Sequence, residues 1–401
     1  MIDQQTTEEM IDAFFGWDNL EKRLEKSGEE KLDVIDFCLL PPRKGMKFTS
    51  REQVLERLTE LHGEIKPTNP EEEFIQAELK AATYFLRASM GEMFPFREYA
   101  EVITGVTPQI IPEEVIQEQR RIMMDRFEAV GYNPKKQSLK QFLETITFSE
   151  KEAKQKVMEE VNSYKKTLIP RVQEILGFGD LEIEYETRPV KVKDYWGGWT
   201  STKPDGSFLL RLNFNPHIKW RKGDAERMVI HEVDGHFVQG KNIKIAIENR
   251  EINPFNGITF VQAPRTWVTE GTANAILHLK EIEELLSPYA LLARDRAVNG
   301  MYVQNNAHIW INEGRDANEV LKYVLDRDPF ALKKPTLEDL DRRKNNPARR
   351  GYQYVYGISL YEHLNILERL SPDNQKKYLI HAMSKYAMRG QLMEFANQLF
   401  S

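Results

Sequence analysis

Cysteine is nearly absent from this chain: Cys38 is the single one in 401 residues. One thiol cannot form an intrachain disulfide, which fits a reducing compartment. It also rules out a thiolate-rich metal cluster, so any metal held here must be bound by His, Asp and Glu. Histidine is scarce as well, at eight residues. A basic excess is missing, because 56 Lys and Arg stand against 62 Asp and Glu, a net charge of −6. That argues against a nucleic-acid partner. Long apolar runs are missing too. No window approaches ~18 uncharged apolar residues, so no transmembrane helix and no membrane contact are expected. The stretch MIDQQTTEEMIDAFFGWDNLEKRL lacks the basic and apolar regions of a signal peptide. The expected location is cytoplasmic.

What is present is an ordinary globular balance, 41% hydrophobic and 29% charged. Residues 1–175 read as a helical N-terminal lobe. TSREQVLERLTELHGEI opens on Thr49 and Ser50, and Val54, Leu55, Leu58 and Leu61 recur at helical spacing. Phe74, Ile75, Leu79, Tyr84 and Leu86 do the same. PEEVIQEQRRIMMDRFEAVGY starts at Pro112 and stops near Gly131. One charged helix, SEKEAKQKVMEEVNSYKKTLIPRVQEILG, follows.

The texture changes near residue 178. Leu181, Ile183 and Tyr185 alternate at the period of a strand. The Pro-Asp-Gly turn at 204–206, flanked by strand-like runs, predicts a hairpin ending in SFLLRLNFN. A strand there could pair with an extended peptide. From residue 222 the pattern is helical to the end. The expected fold is mainly α (α+β), with a small antiparallel sheet at 176–216 beside a helical catalytic region at 222–401, together a lobe spanning 176–401.

The densest chemistry lies in RMVIHEVDGHFVQGKN, residues 227–242. His231, Glu232 and His236 resemble a zinc-protease helix, but the histidines are five apart instead of four. Positions five apart on a regular α-helix diverge by roughly 140°, against roughly 40° for four apart. Either a π-bulge restores a common face, or the helix ends at Asp234-Gly235 and His236 follows from a turn. Gly235 suits both. Asp234 or a neighbouring carboxylate could orient a ligand imidazole. A third ligand candidate, Glu270, is followed by Gly271, Thr272 and Ala273, small residues that let its helix pack closely on the motif helix.

HEVDGH followed by TEGTA resembles the HExxxH-plus-EGLA signature of the tyrosine carboxypeptidase family, whose bacterial relatives carry a QEGLA motif. The strand FLLRLNFNP before the motif is similar to one in that family. GHFVQ, residues 235–239, also resembles a bacterial group of predicted helical metallopeptidases with GHHxQ and EGWA segments. The likeness spans roughly 205–365. The chain departs from these patterns at Thr272, where Leu or Trp is usual, and at Phe237, where the second group has a further His. The resemblance implies a zincin-like fold, one Zn2+ per chain on His231, His236 and Glu270, and Glu232 as general base toward activated water. It brings in His308 and Tyr354 as candidate oxyanion donors. A carboxypeptidase also needs a cation for the terminal carboxylate, and Arg265, Arg349 and Arg350 are the candidates. The expected function is zinc-dependent cleavage of a peptide bond, carboxypeptidase-like. Two alternatives stand beside it: hydrolysis of a small non-peptide amide or ester, and an inactive binding or scaffold protein on the same fold.

Overall fold

The computed structural model describes residues 2–193, 196–203, 205–384 and 387–400. The chain is mainly helical with two small sheets. β1 (Phe37–Cys38) and β5 (Ile258–Thr259) form an antiparallel pair, too short to leave a periodic signal in the sequence. β2 (Tyr185–Val190), β3 (Gly198–Thr202) and β4 (Phe208–Asn213) form a three-stranded sheet in the order β2-β4-β3.

The hairpin is present. β3 and β4 pair antiparallel, Lys203 N donates to Ser207 O, and Gly206 takes a φ of 77°. Pro204, the first residue of the expected turn, lies outside the described residues. The sheet is mixed, however, and not wholly antiparallel: β2 runs parallel to β4. The reason is two reversals. The chain turns once between β2 and β3 and again through the hairpin, so β4 regains the direction of β2. Asn213 secures this crossover. Its buried amide donates to the carbonyls of Val192 and Trp196, and its oxygen accepts from Val192 N and Asn215 N.

The helices follow the apolar spacing, with one correction. The charged stretch after residue 149 is two helices, Glu150–Thr167 and Ile169–Ile175. Pro170 has no N–H to continue the first, so it opens the second. The core does not respect residue 175. Each of the four hydrophobic clusters draws side chains from both sides of it, as where Phe96, Ala100 and Val172 pack with Trp267, Tyr354 and Leu360.

The motif helix is one rod in three segments: α over Asp224–Val229, π over Ile230–Phe237, and α over Val238–Glu248. Stacked rings fix it against the sheet. Phe237 lies on Phe208 at 4.8 Å and 13°, and Phe37 lies on Phe208 at 5.6 Å. The helix Arg265–Ala275 crosses the rod where Gly235 meets Ala273. A Cβ at Gly235 would stand 2.5 Å from the Ala273 Cβ, so only glycine permits this approach. Behind that helix, Gly271 accommodates the ring of His363 in the helix Val355–Leu367. Arg265 ties the same helix to Pro70–Ser89, because its guanidinium grips the buried carboxylate of Glu78 from Nε (2.8 Å) and from Nη2. At the outer end of β3, Cys38 N donates to Thr202 Oγ1 at 2.8 Å.

Three substitutions test this packing. Gly235→Ala should lower unfolding stability by ~1–3 kcal/mol through overpacking. Gly63→Ala, at an open helical position, should raise it by up to about 1 kcal/mol. Denaturant midpoints check both, and an unchanged midpoint for Gly235→Ala would show that the two helices can part freely. Arg265→Ala strands a buried Glu78 and should cost ~3–5 kcal/mol. A loss under about 1 kcal/mol would show that the pair does not hold the two helices together.

Candidate metal centre

The π segment resolves the spacing of five. Its i→i+5 hydrogen bonding stacks residues five apart nearly over one another. His231 and His236 therefore share a face, with ring centroids 4.9 Å apart and planes at 89°. Their ligand nitrogens and a Glu232 oxygen all lie within 4.8 Å of one another. The crossing helix delivers Glu270 to the same point. Its Oε2 sits 3.6 Å from His231 Nε2 and 3.8 Å from His236 Nε2. Tetrahedral zinc with bonds of ~2.0–2.2 Å sets its ligand atoms ~3.3–3.6 Å apart, so the two distances from Glu270 Oε2 are close to that spacing. Glu270 Oε2 is buried without a hydrogen bond. Two imidazoles and an orphaned carboxylate oxygen converging on one point fit a divalent cation.

The electrostatics point the same way. Burial raises Glu270 to about 8, the charge of Glu232 adds to this, and a hydrogen bond from Tyr352 opposes it. Burial raises Glu232 to about 7, with Arg227 opposing, Asp36 reinforcing and Thr200 opposing. Burial lowers His236 to about 4. His231 is pushed well below its ordinary value by burial, then by His236 and Arg227. Every group drifts toward its neutral form. A dication would reverse the drift for the carboxylates and would bind the imidazoles in the neutral form they already favour.

The site opens into a cavity of about 550 Å³. Its walls come from the motif helix, from Gly198, Trp199 and Thr200 of β3, and from Tyr352 and Tyr356. Gly198 is required for close packing, since a Cβ there would collide with the Met228 thioether and stand 3.5 Å from Glu232 Oε1. Asn213 N donates to Gly197 O and Lys203 N to Ser207 O. The odd-numbered residues of β3 therefore pair with β4, and Gly198 and Thr200 turn their backbone groups to the free edge. The central β4, which carries SFLLRLNFN, has neighbours on both sides and cannot accept a peptide. Of the two outer strands, β3 is the one that lines the cavity.

Several expected site residues lie elsewhere. Tyr354 is fully buried, with its hydroxyl on Thr104 Oγ1 (2.7 Å) and the Val106 carbonyl. His308 is also fully buried, bonded through Nε2 to the Arg350 carbonyl at 3.0 Å and stacked on Tyr354. Burial lowers its pKa to about 3. Neither reaches the cavity. The tyrosines that do are Tyr352, whose hydroxyl donates to Glu270 Oε1 at 3.2 Å, and Tyr356, 2.9 Å from the Tyr352 hydroxyl. RGYQYVYG holds tyrosines at 352, 354 and 356. Positions 352 and 356 share a helical face, while 354 is roughly 200° away from each.

The arginines are corrected in the same way. Arg265 touches the cavity wall, but its fork is committed to Glu78. Arg349 bonds Gln353, and Arg350 bonds Asn312 and the Phe94 carbonyl. The cation that sequence reasoning missed is Arg227, four residues before His231 and on the cavity wall. That i−4 spacing was the available signal. Asp234 is fully buried beside Gln173 and Tyr185, and burial raises its pKa well above the ordinary value. No hydrogen bond joins it to an imidazole, so it orients neither candidate ligand.

Among the described residues, no helix is long and apolar enough to cross a membrane. No protein-family model matches the chain, and a search of curated proteins found no match. A solved structure described as "the putative lipoprotein from Colwellia psychrerythraea" superimposes with a TM-score of 0.55 at 14% identity over 83% of this chain. This chain spans 56% of that one. At that identity the likeness is one of fold alone.

Proposed function

We propose that the chain is a zinc-dependent hydrolase of amide bonds, a peptidase. The observation that carries this reading is the approach of Glu270 Oε2 to both histidine Nε2 atoms with Glu232 alongside. His231, His236 and Glu270 would hold the ion. A bound zinc supplies Lewis acidity toward a carbonyl and toward water.

The chain's own groups supply the rest. Glu232 takes a proton from the attacking water and returns it to the leaving amine nitrogen, a role open to a carboxylate beside the ligand cluster. Tyr352 holds Glu270 through its hydroxyl, and Tyr356 is the hydroxyl donor on the cavity side. The free edge at Gly198 and Thr200 would receive an extended substrate by strand addition, placing its backbone beside Glu232. A second reading, hydrolysis of a small amide or ester, is favoured by the cavity volume, which falls in the range of small-molecule sites.

Protein purified without chelator should carry about one zinc per chain by elemental analysis, and His231→Ala should lose it. Glu232→Gln should keep the metal while turnover falls by ~10²–10⁴-fold. Turnover is read by mass spectrometry of a mixed peptide library beside small amides and esters. Metal retained by His231→Ala, or activity retained by Glu232→Gln, would overturn the assignment.

The pH dependence has a definite sign. Glu270 titrates at about 8 in the folded chain against the ordinary 4.5. Between those values the folded state holds a proton that the unfolded state has lost, so stability falls as pH rises. In chelator, Glu270→Gln should therefore raise Tm relative to the parent more at pH 8 than at pH 5. Equal shifts at the two pH values would refute a buried, uncompensated Glu270.

A further inference from the structure

Arg227 stands on the α segment that leads into the π turn, one helical turn ahead of His231, and it lines the cavity. Its guanidinium makes no hydrogen bond and no ion pair with any described residue. The other arginines on the wall are engaged: Arg265 with Glu78, Arg296 with Asp224 and Arg343 with Asp339. Asp224 and Glu232 favour its charge from a distance, and Arg296 opposes it. Arg227 is partly buried, and a partly buried guanidinium is best stabilised by a carboxylate across its donor fork. The neighbouring arginines meet that condition with carboxylates of the chain. Arg227 is left to meet it with an anion from outside.

The chemistry of that anion follows from the surroundings. The guanidinium fork matches a carboxylate in two parallel hydrogen bonds. Glu232, Glu270 and Asp36 on the same walls would repel a dianion more than a single negative charge. The distance is also informative. Four residues of helix rise ~6 Å, and an extended peptide advances ~3.4 Å per residue. With the scissile carbonyl at the ligand cluster, the fork reaches a carboxylate one or two residues farther along the substrate.

We propose that Arg227 is the specificity-determining cation of the cleft and binds a substrate carboxylate one or two residues beyond the bond to be cut. The proposal rests on the reading of the cleft as an amide hydrolase. The carboxylate is a free C-terminus or an acidic side chain, and one experiment separates the two sources.

The test measures binding without turnover. The full chain carrying Glu232→Gln is equilibrated with N-acetylated tripeptides in three pools. One pool has free C-terminal acids without acidic side chains, the second has the matching C-terminal amides, and the third has amides that contain Asp or Glu. Retention after ultrafiltration is quantified by mass spectrometry. Acids should be retained ~10–100-fold above plain amides if the carboxylate is the C-terminus. The third pool should be retained instead if it is a side chain. Adding Arg227→Gln should erase the preference, and Arg227→Lys, which keeps the charge but loses the fork, should leave an intermediate one. Thermal unfolding checks that each variant folds, and if Arg227→Gln does not fold, the lysine variant decides. No preference in the parent, no retention of any pool, or a preference undiminished in the folded variant overturns the proposal. Failure of the hydrolase reading would show separately, as absence of cleavage by the chain with Glu232 intact.

Discussion

The contact of Gly235 with Ala273 is the constraint on which the rest of the site depends. It lets two helices approach to backbone distance, and the candidate ligands sit on either side of that crossing. His231 and His236 flank Gly235 on the motif helix, and Glu270 lies one turn before Ala273. A wider crossing would carry Glu270 away from both imidazoles. The π turn is the second half of the same arrangement, because it lets one rod present two histidines with an extra residue between them. Layers behind hold the crossing in place. His363 fills the space left by Gly271, and the Phe37, Phe208 and Phe237 stack presses the rod onto the sheet.

The cleft and the scaffold treat charge differently. In the scaffold, several buried carboxylates are paired, Glu78 with Arg265, Glu21 with Arg51, and Asp295 with Arg126 and Arg294, while Asp234 is buried without an ion pair. In the cleft, Glu270 Oε2 has no hydrogen bond, Glu232 and Asp36 are raised to about 7, and Arg227 is unpaired among the described residues. Perturbed groups of both signs gathered in one cavity are the mark of a site whose charges are completed by ligands.

The parts legible in the sequence are those governed by local chemistry. Apolar spacing showed the helices, and the Asp-Gly turn showed the hairpin. The spacing of five, with Gly235 inside it, reduced the motif to two backbone solutions, of which the chain adopts the bulge. What was not legible depends on the partner across the fold. Nothing local says that Arg265 answers Glu78, 187 positions away. Nothing local says that Tyr354 turns to Thr104 while Tyr352 turns to Glu270. The helical face could have separated the three tyrosines, but only once it was known which face was buried. The direction of β2 depended on the path around β4, which Asn213 fixes from a distance.

The hydrogen bond from Cys38 to Thr202 has a consequence for how a polymer could be handled. It ties the Phe37–Cys38 segment to the side chain of Thr202, at the end of the edge along which Gly198 and Thr200 face outward. Phe37, next to that bond, also forms part of the cavity wall. A chain laid along this edge would meet the Phe37–Cys38 segment at the Thr202 end of β3.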